Sequence, residues 1–331
     1  MGAGFEGFLI DSRVVDRFLN GTERLIQRIA IPLPGSRRLR YGIERGGIYR
    51  PVRRTAGFFS QCTTILADLA SLPTPARKIV ARGALEAYRV LPGANSWNKF
   101  FSKPSRSDPM TERSGEVADM VTPAVQYSQY RALDFDFFSP LVEQYFQPSA
   151  EVVNRMRDFV TRYRIVPNEL IAVNIRGTDK WKEVSAPRLQ NFVKWGKEAL
   201  RKHPNAKLLL VTDDSRLAEQ FETAFVERVL RISELPMSSR TNSPIHRGLA
   251  RSKREKFAVD FLAAVHIMSS AKILITHTGN VAFWTVLFRG HSKGLVQIHG
   301  NNSFGSLTPG HTDGESQDCT RDGSAENRGL H

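Results

Sequence analysis

Polar residues suited to phosphate and proton chemistry follow one short apolar run near the middle of the chain. The run Leu170–Ile175 leads directly into Arg176 and Gly177 and, one residue later, into Asp179 and Lys180. A guanidinium group stays charged and donates two parallel hydrogen bonds, which suits a diphosphate. Gly177 lets the backbone approach a ligand without a Cβ. Asp179 beside Lys180 forms either a structural ion pair or part of a proton-accepting relay.

The apolar run that precedes these residues is typical of a parallel strand buried on both faces. Two later runs, Lys207–Thr212 and 272–276, have the same character. The polar residues that follow them are Asp213, Asp214, His277, Thr278, Gly279 and Asn280. In open α/β sheets, ligands bind just beyond the carboxyl ends of the strands. We therefore expect the three strand ends to meet at one edge of a sheet and to form a site there.

Each residue at the two later strand ends has a structural and a functional interpretation. Thr278, Gly279 and Asn280 stand at a helix start, where N–H groups and a capping side chain can bind an anion. Asp214 either caps the next helix or contacts a nucleotide donor. Asp213, at the strand tip, could bind the ribose or base of the donor, or the acceptor.

Strands alternate with helices throughout the second half of the chain, which predicts an α/β protein with a parallel sheet. Helices are expected at 150–164 (capped by Ser149), 188–201, 215–225, 256–269 and 281–288, and further strands at 229–232 and 294–298. We expect a leader at 1–55 that packs on the first domain, domains at 56–165 and 166–300, and a disordered tail at 301–331.

Two weaker signals lie outside these strand ends. Gly57, Ser60 and Gln61 open a predicted helix, either as a tight turn or as a loop whose N–H groups approach a phosphate or sugar. The basic loop before the helix at 256–269 contains His246, which we assign to donor binding.

The composition is that of an ordinary globular protein with a basic balance. Of 331 residues, 41% are hydrophobic and 24% are charged, and the formal net charge is +14. The basic residues are scattered without a recognition motif, so we expect no nucleic acid partner; they suit nucleotide phosphates, an anionic acceptor or peripheral contact with a membrane. Cys62 and Cys319 predict no disulfide framework, and the N-terminus has no signal or anchor pattern. We expect a cytoplasmic protein without a metal site, since the Asp213–Asp214 pair has no evident third ligand.

Several segments resemble one family of enzymes. Asn174-Ile-Arg-Gly-Thr-Asp-Lys180 resembles the His-x-Arg-Arg-x-Asp-Lys element of α-1,6-fucosyltransferases and the related nodulation fucosyltransferases. Val211-Thr-Asp-Asp-Ser-Arg-Leu217 is similar to their strand-end Thr-Asp-Asp segment, and 266–281 to their Leu-Ser-x-x-Asp…Thr-x-Ser-Ser/Asn-x-Val region. Gly57-Phe-Phe-Ser-Gln61 looks like their glycine-containing first loop. At the family's leading histidine and second arginine, this sequence has Asn174 and Gly177.

The resemblance implies two Rossmann-like domains that face a cleft, the GT-B type of glycosyltransferase. It implies an inverting, metal-independent transfer from GDP-fucose, a donor substrate rather than a cofactor, to a glycan or lipid-linked acceptor. Arg176 would bind the diphosphate, and Asp179 and Lys180 would match the catalytic pair. Asp260 is the only aspartate near the family's guanine-reading position.

Two other functions remain open on the sequence. One is a nucleotide-sugar-binding protein of the same fold that has lost catalysis, because the second arginine is absent. The other is a transferase that uses a different nucleotide sugar.

Overall fold

Two sheets and nine helices make up the part of the chain that the computed structural model describes. The described residues are 43–44, 48–49, 51, 57–70, 76, 78–81, 85, 88, 95–104, 123–177, 188–239, 245–299, 302–305 and 307. Most of the expected leader at 1–55, Asp179, Lys180 and most of the tail lie outside them.

The strands form a small sheet in the first half of the chain and a large one in the second. They are β1 (Ile43–Glu44), β2 (Ile48–Tyr49), β3 (Lys78–Ile79), β4 (Leu170–Ile175), β5 (Lys207–Thr212), β6 (Val229–Leu230), β7 (Ile273–His277), β8 (Leu295–His299) and β9 (Asn302–Gly305). β2 pairs antiparallel with β1 and parallel with β3, so this sheet crosses the boundary that we expected at 55.

The helices alternate with the strands of the large sheet. They are α1 (Phe58–Ala70), α2 (Trp97–Phe100), α3 (Phe135–Tyr145), α4 (Ala150–Arg162), α5 (Leu189–Lys202), α6 (Ser215–Ala224), α7 (Ile245–Gly248), α8 (Arg251–Ser269) and α9 (Asn280–Arg289). Short 3₁₀ helices occupy Pro123–Tyr127, Tyr130–Ala132 and Pro167–Glu169. No helix in the described ranges combines the length and the apolar character that a bilayer crossing requires.

The large sheet has the order β6-β5-β4-β7-β8-β9, in which only β9 is antiparallel. Every residue of β4 is buried, as a central strand covered on both faces requires. One face of the sheet packs with α5 and α6, and the other packs with α4, α8 and α9 and with α1 from the first half. The predicted α/β class is confirmed.

The predicted elements of the second half lie within a few residues of the observed ones. Ser149 caps α4 as expected, and its Oγ accepts a hydrogen bond of 3.3 Å from the N–H of Val152. α8 begins five residues earlier than expected, and β7 ends at His277 rather than at residue 276. β9 lies in the segment assigned to the tail, where Phe304 is the one large apolar residue of Asn302–Gly305 and pairing with β8 forms the strand.

The two halves of the chain share one core. The indole Nε1 of Trp284 donates to the carbonyl of Phe59 at 3.1 Å and to Oγ1 of Thr63 at 3.0 Å. The aromatic residues near α2 and α3 pack in this core, and Trp97, Phe101 and Phe146 are fully buried. Because α1 contacts α9 directly, the first half contributes to the sheet edge at which α9 begins.

Candidate active site

The large sheet reverses its strand order between β4 and β7. From β4 the chain continues through β5 to β6 on one side, and it then returns to β7 and β8 on the other. In open α/β sheets a ligand binds in the crevice beyond the carboxyl ends at this switch point. Arg176 follows β4 and Thr278 follows β7, so these two residues flank the crevice.

Asn174 links the three central strands just below the crevice. Its amide Nδ2 donates to the carbonyl of Val211 in β5 at 3.2 Å, and its Oδ1 accepts from Oγ1 of Thr276 in β7 at 3.4 Å. Asn174 is 6% exposed. Asn174 therefore joins neighbouring strands within the sheet.

Arg176 is held beside Asp213 at the end of β5. Its Nε lies 3.5 Å from Oδ2 of Asp213, and the two side chains are 30% and 20% exposed. The backbone N–H of Gly177 donates to Oδ1 of the same carboxylate at 2.7 Å. The predicted meeting of these two strand ends is confirmed by this geometry. Asp213 orients the guanidinium and leaves it accessible to an anion.

Gly177 is packed closely against the start of α6. A Cβ there would lie 2.6 Å from Cδ1 of Leu217 and 2.8 Å from Cβ of Asp214. A side chain at this position would therefore require the start of α6 to shift.

Asp214 is the N-cap of α6. Its Oδ1 accepts from the N–H groups of Arg216 at 2.9 Å and Leu217 at 3.4 Å, and its Oδ2 lies 3.1 Å from Nη2 of Arg216. Burial raises the pKa of the Asp214 carboxyl, but the hydrogen bonds from Arg216 and Leu217 outweigh this and lower the pKa overall. Asp214 therefore caps α6 and forms an ion pair with Arg216.

The turn between β7 and α9 is closed by internal hydrogen bonds. The N–H of Gly279 donates to the hydroxyl of Tyr130 at 2.8 Å, and its φ of 147° with ψ of 178° is a conformation that glycine accepts most readily. Gly279 holds the N-cap position of α9, and Asn280 is the first residue of the helix. Oδ1 of Asn280 accepts from the hydroxyl of Thr63 at 2.7 Å. His277 ends β7 and is 2% exposed.

The first-loop residues lie at the start of α1. Oε1 of Gln61 accepts from the N–H of Leu85 at 2.9 Å, so this side chain is used inside the fold. Gly57 and Ser60 are half-buried.

The N-terminus of α1 is bonded to Tyr88. The N–H of Phe58 donates to the hydroxyl of Tyr88 at 2.9 Å. Burial raises the pKa of Tyr88 to about 12, while the hydrogen bond from Phe58 and the charges of Arg176 and Arg254 lower it.

Asp260 is not at the crevice in the described structure. It lies in the middle of α8, where it is 2% exposed, accepts from Nε of Arg155 at 2.5 Å and also pairs with Lys256. This ion pair joins α8 to α4 and occupies both carboxylate oxygens. His246 lies in α7, where the backbone alone is described.

Sequence reasoning missed three residues at this edge: Tyr130, Gln297 and His299. Gln297 and His299 are polar residues at alternate positions of the otherwise apolar β8, and this alternation is the signal that could have identified them. Tyr130 had no such signal, because its contacts lie about 150 residues further along the chain. Among the described residues, no three carboxylate, histidine or cysteine side chains lie close enough to hold a metal ion.

The chain has an open α/β fold with an arginine-carboxylate pair at the switch point of its sheet. No protein-family model and no curated protein matches it. Solved structures do match. Fucosyltransferase NodZ from Bradyrhizobium aligns over 76% of this chain and 94% of its own, with 13% identity and a TM-score of 0.44. POFUT1 in complex with GDP-fucose aligns over 50% of this chain and 49% of its own, with 9% identity and a TM-score of 0.34.

A third solved structure comes from a plant. A variant of Arabidopsis thaliana FUT1 in complex with GDP aligns over 49% of this chain and 35% of its own, with 12% identity and a TM-score of 0.32. All three are fucosyltransferases, the family that the sequence segments resemble. At these identities and TM-scores, the likeness assigns neither a substrate nor a residue's role.

Proposed function

We propose that this chain is an inverting, metal-independent glycosyltransferase that transfers fucose from GDP-fucose to a glycan or glycolipid acceptor. The observation that carries the proposal is the position of Arg176. It stands at the switch point of the sheet, with Asp213 beside it and the turn that opens α9 across the crevice.

Arg176 has the chemistry that a departing diphosphate needs. As the sugar–oxygen bond breaks, negative charge builds on the leaving phosphate, and a cation already in place stabilises that charge. By analogy with oxyanion donors, such a group lowers the barrier by roughly 3 kcal/mol. Asp179 and Lys180, the next charged residues along the chain, are the proposed catalytic pair.

The guanine specificity of the donor rests on the family resemblance alone. Both carboxylate oxygens of Asp260 are already paired, with Arg155 and with Lys256. Because Asp260 is then not available to bind guanine, the second candidate is a transferase for another nucleotide sugar. The crowding around Gly177 favours, as a third, a nucleotide-sugar-binding protein without catalysis.

A nucleotide screen separates these functions. Thermal unfolding is measured with GDP, UDP and ADP, because selective binding to the folded state raises apparent stability, by about 2.7 kcal/mol at 100 times Kd. We expect stabilisation by GDP alone, and release of GDP from GDP-fucose. Stabilisation by another nucleotide supports the second candidate, and GDP binding without turnover across an acceptor panel supports the third. If no nucleoside diphosphate shifts the transition, all three are refuted.

Arg176→Ala tests the role of the cation. We expect GDP affinity and GDP-fucose turnover to fall at least tenfold while the fold is retained, since Arg176 is partly exposed beyond the strand. Arg201→Ala is the matched control, because Arg201 is 71% exposed on α5 and pairs with Glu198. Unchanged turnover in Arg176→Ala would contradict the assignment.

A further inference from the structure

His299 ends β8 at the same sheet edge as Arg176. β4 pairs with β7 through Asn174 and Thr276, and β7 pairs with β8 through Thr276 and Gln297. The residues two positions after Asn174, Thr276 and Gln297 are Arg176, Thr278 and His299. Because alternate residues of a strand point to the same face, these three continue one row on one face of the sheet. Two strand spacings, about 10 Å, separate β4, which Arg176 follows, from β8, which His299 ends.

A hydrogen-bond network fixes the side chain of Gln297 below His299. Its Oε1 accepts from the N–H of Tyr130 at 2.8 Å. Its Nε2 donates to the carbonyl of Ser128 at 2.9 Å and to Oγ1 of Thr278 at 3.1 Å. The N–H of Tyr130 can only donate and the carbonyl of Ser128 can only accept. The oxygen of the Gln297 amide must therefore face Tyr130, and its nitrogen must face Ser128. Thr278 therefore receives a hydrogen bond from Gln297.

The hydroxyl of Thr278 in turn determines the tautomer of His299. A threonine hydroxyl has one proton to donate and two lone pairs that accept. The carbonyl of Ile298, at 3.2 Å from Oγ1, can only accept, so it takes the proton. Nδ1 of His299 also lies 3.2 Å from Oγ1. All three contacts are satisfied only when Nδ1 carries a proton and donates it. The neutral ring then has its free lone pair on Nε2, the nitrogen that can accept a proton.

We infer that His299 is the general base of the transfer reaction, an inference that rests on the proposed function. Nε2 takes the proton of the acceptor hydroxyl as the acceptor oxygen bonds to the anomeric carbon of the donor. The bond from that carbon to the diphosphate oxygen breaks at the same time, and its electron pair leaves on the diphosphate beside Arg176. The half-buried position of His299 suits this role, because the ring is oriented by Thr278 and remains accessible to an acceptor.

The test uses the full chain with GDP-fucose as donor and water as acceptor, and measures GDP release. A general base contributes about 100-fold to 10,000-fold. We expect at least a 100-fold loss of release in His299→Asn, with GDP affinity within twofold of wild type. Asparagine places an amide nitrogen near the position of Nδ1 and keeps the contact with Thr278, but it has no counterpart of Nε2. His299→Ala is the second variant, and His291→Ala, an exposed histidine after α9, is the control.

Azide distinguishes a base from a structural group. It is an anion that attacks carbon without losing a proton, so it should restore donor consumption in both His299 variants at least tenfold and give a glycosyl azide of inverted configuration. Release at the wild-type rate in His299→Asn, or a loss that azide does not restore, overturns the role of His299 while the proposed function stands. Failure of the wild-type chain to bind GDP or release it from GDP-fucose overturns both.

Discussion

The tight packing of Gly177 yields a quantitative prediction for Gly177→Ala. The added methyl group would lie 2.6 Å from Cδ1 of Leu217 and 2.8 Å from Cβ of Asp214. The leucine methyl is the end of a flexible side chain and can move. Cβ of Asp214 is attached to the backbone of the residue that caps α6, so relief there requires a shift of the helix start.

The expected change is a net destabilisation. Overpacking of a filled site costs about 1–3 kcal/mol. Replacing glycine by alanine restricts the unfolded chain and recovers about 0.4–1 kcal/mol where the backbone is compatible. Gly177 is not among the described glycines with positive φ, so the recovery applies. We therefore expect Gly177→Ala to lower the free energy of unfolding by about 1.3 kcal/mol, the difference between the central values of these two effects, about 2 and about 0.7 kcal/mol.

Equilibrium unfolding in urea measures this value, with Gly248→Ala as the matched control. A Cβ at Gly248 would meet nothing within 4 Å, so this variant should be unchanged or slightly more stable. When Gly177→Ala is made in the Leu217→Ala background, it should lower the free energy of unfolding by less, because one of the two close contacts is gone. For residues in contact, we expect this difference to be about 0.5–1 kcal/mol. If Gly177→Ala is as stable as Gly248→Ala, the inferred crowding around Gly177 is refuted.

Two further predictions concern charge. Asp213→Asn should lower the free energy of unfolding by up to about 1 kcal/mol in urea, because Arg176 loses a charged partner at partial exposure while the N–H of Gly177 keeps an acceptor; an unchanged free energy of unfolding would contradict this. Burial lowers the pKa of His266, which stacks on Phe288, to about 4. The unfolded histidine, with a pKa of about 6.5, binds the proton more readily, so wild type should lose stability from about pH 6.5 down to about pH 4 relative to His266→Phe. Parallel urea midpoints of the two proteins over that range would contradict the assignment.

The second half of the fold could be predicted closely because its signals are local. β4 and β5 have the predicted bounds, since continuous apolar runs between polar ends define buried parallel strands. β9 was not predicted, because Asn302–Gly305 has no apolar pattern and is ordered by pairing with β8. The start of α8 was placed too late, because the basic residues of its first two turns carry no apolar periodicity.

The residue types of the candidate site could also be predicted from the sequence. Arg176 and Asp213 lie next to each other, as expected for the ends of neighbouring parallel strands. What each polar group does was decided by packing. Asp214 caps a helix, Asp260 joins two helices, and Asn280 accepts from Thr63, a residue 217 positions away. Contacts over such separations depend on how helices dock on the sheet, which no local pattern encodes.

The amino-acid sequence by itself therefore determined strands β4 to β8, their order along the chain and the polar residues at their ends. Only the tertiary structure decided which of those residues remain accessible at the switch point and which are used inside the fold. The same long-range packing brought His299 into line with Arg176 through Tyr130, Gln297 and Thr278. The physical reason is that a hydrogen-bonding group can serve a ligand only where the fold has not already provided it with a buried partner.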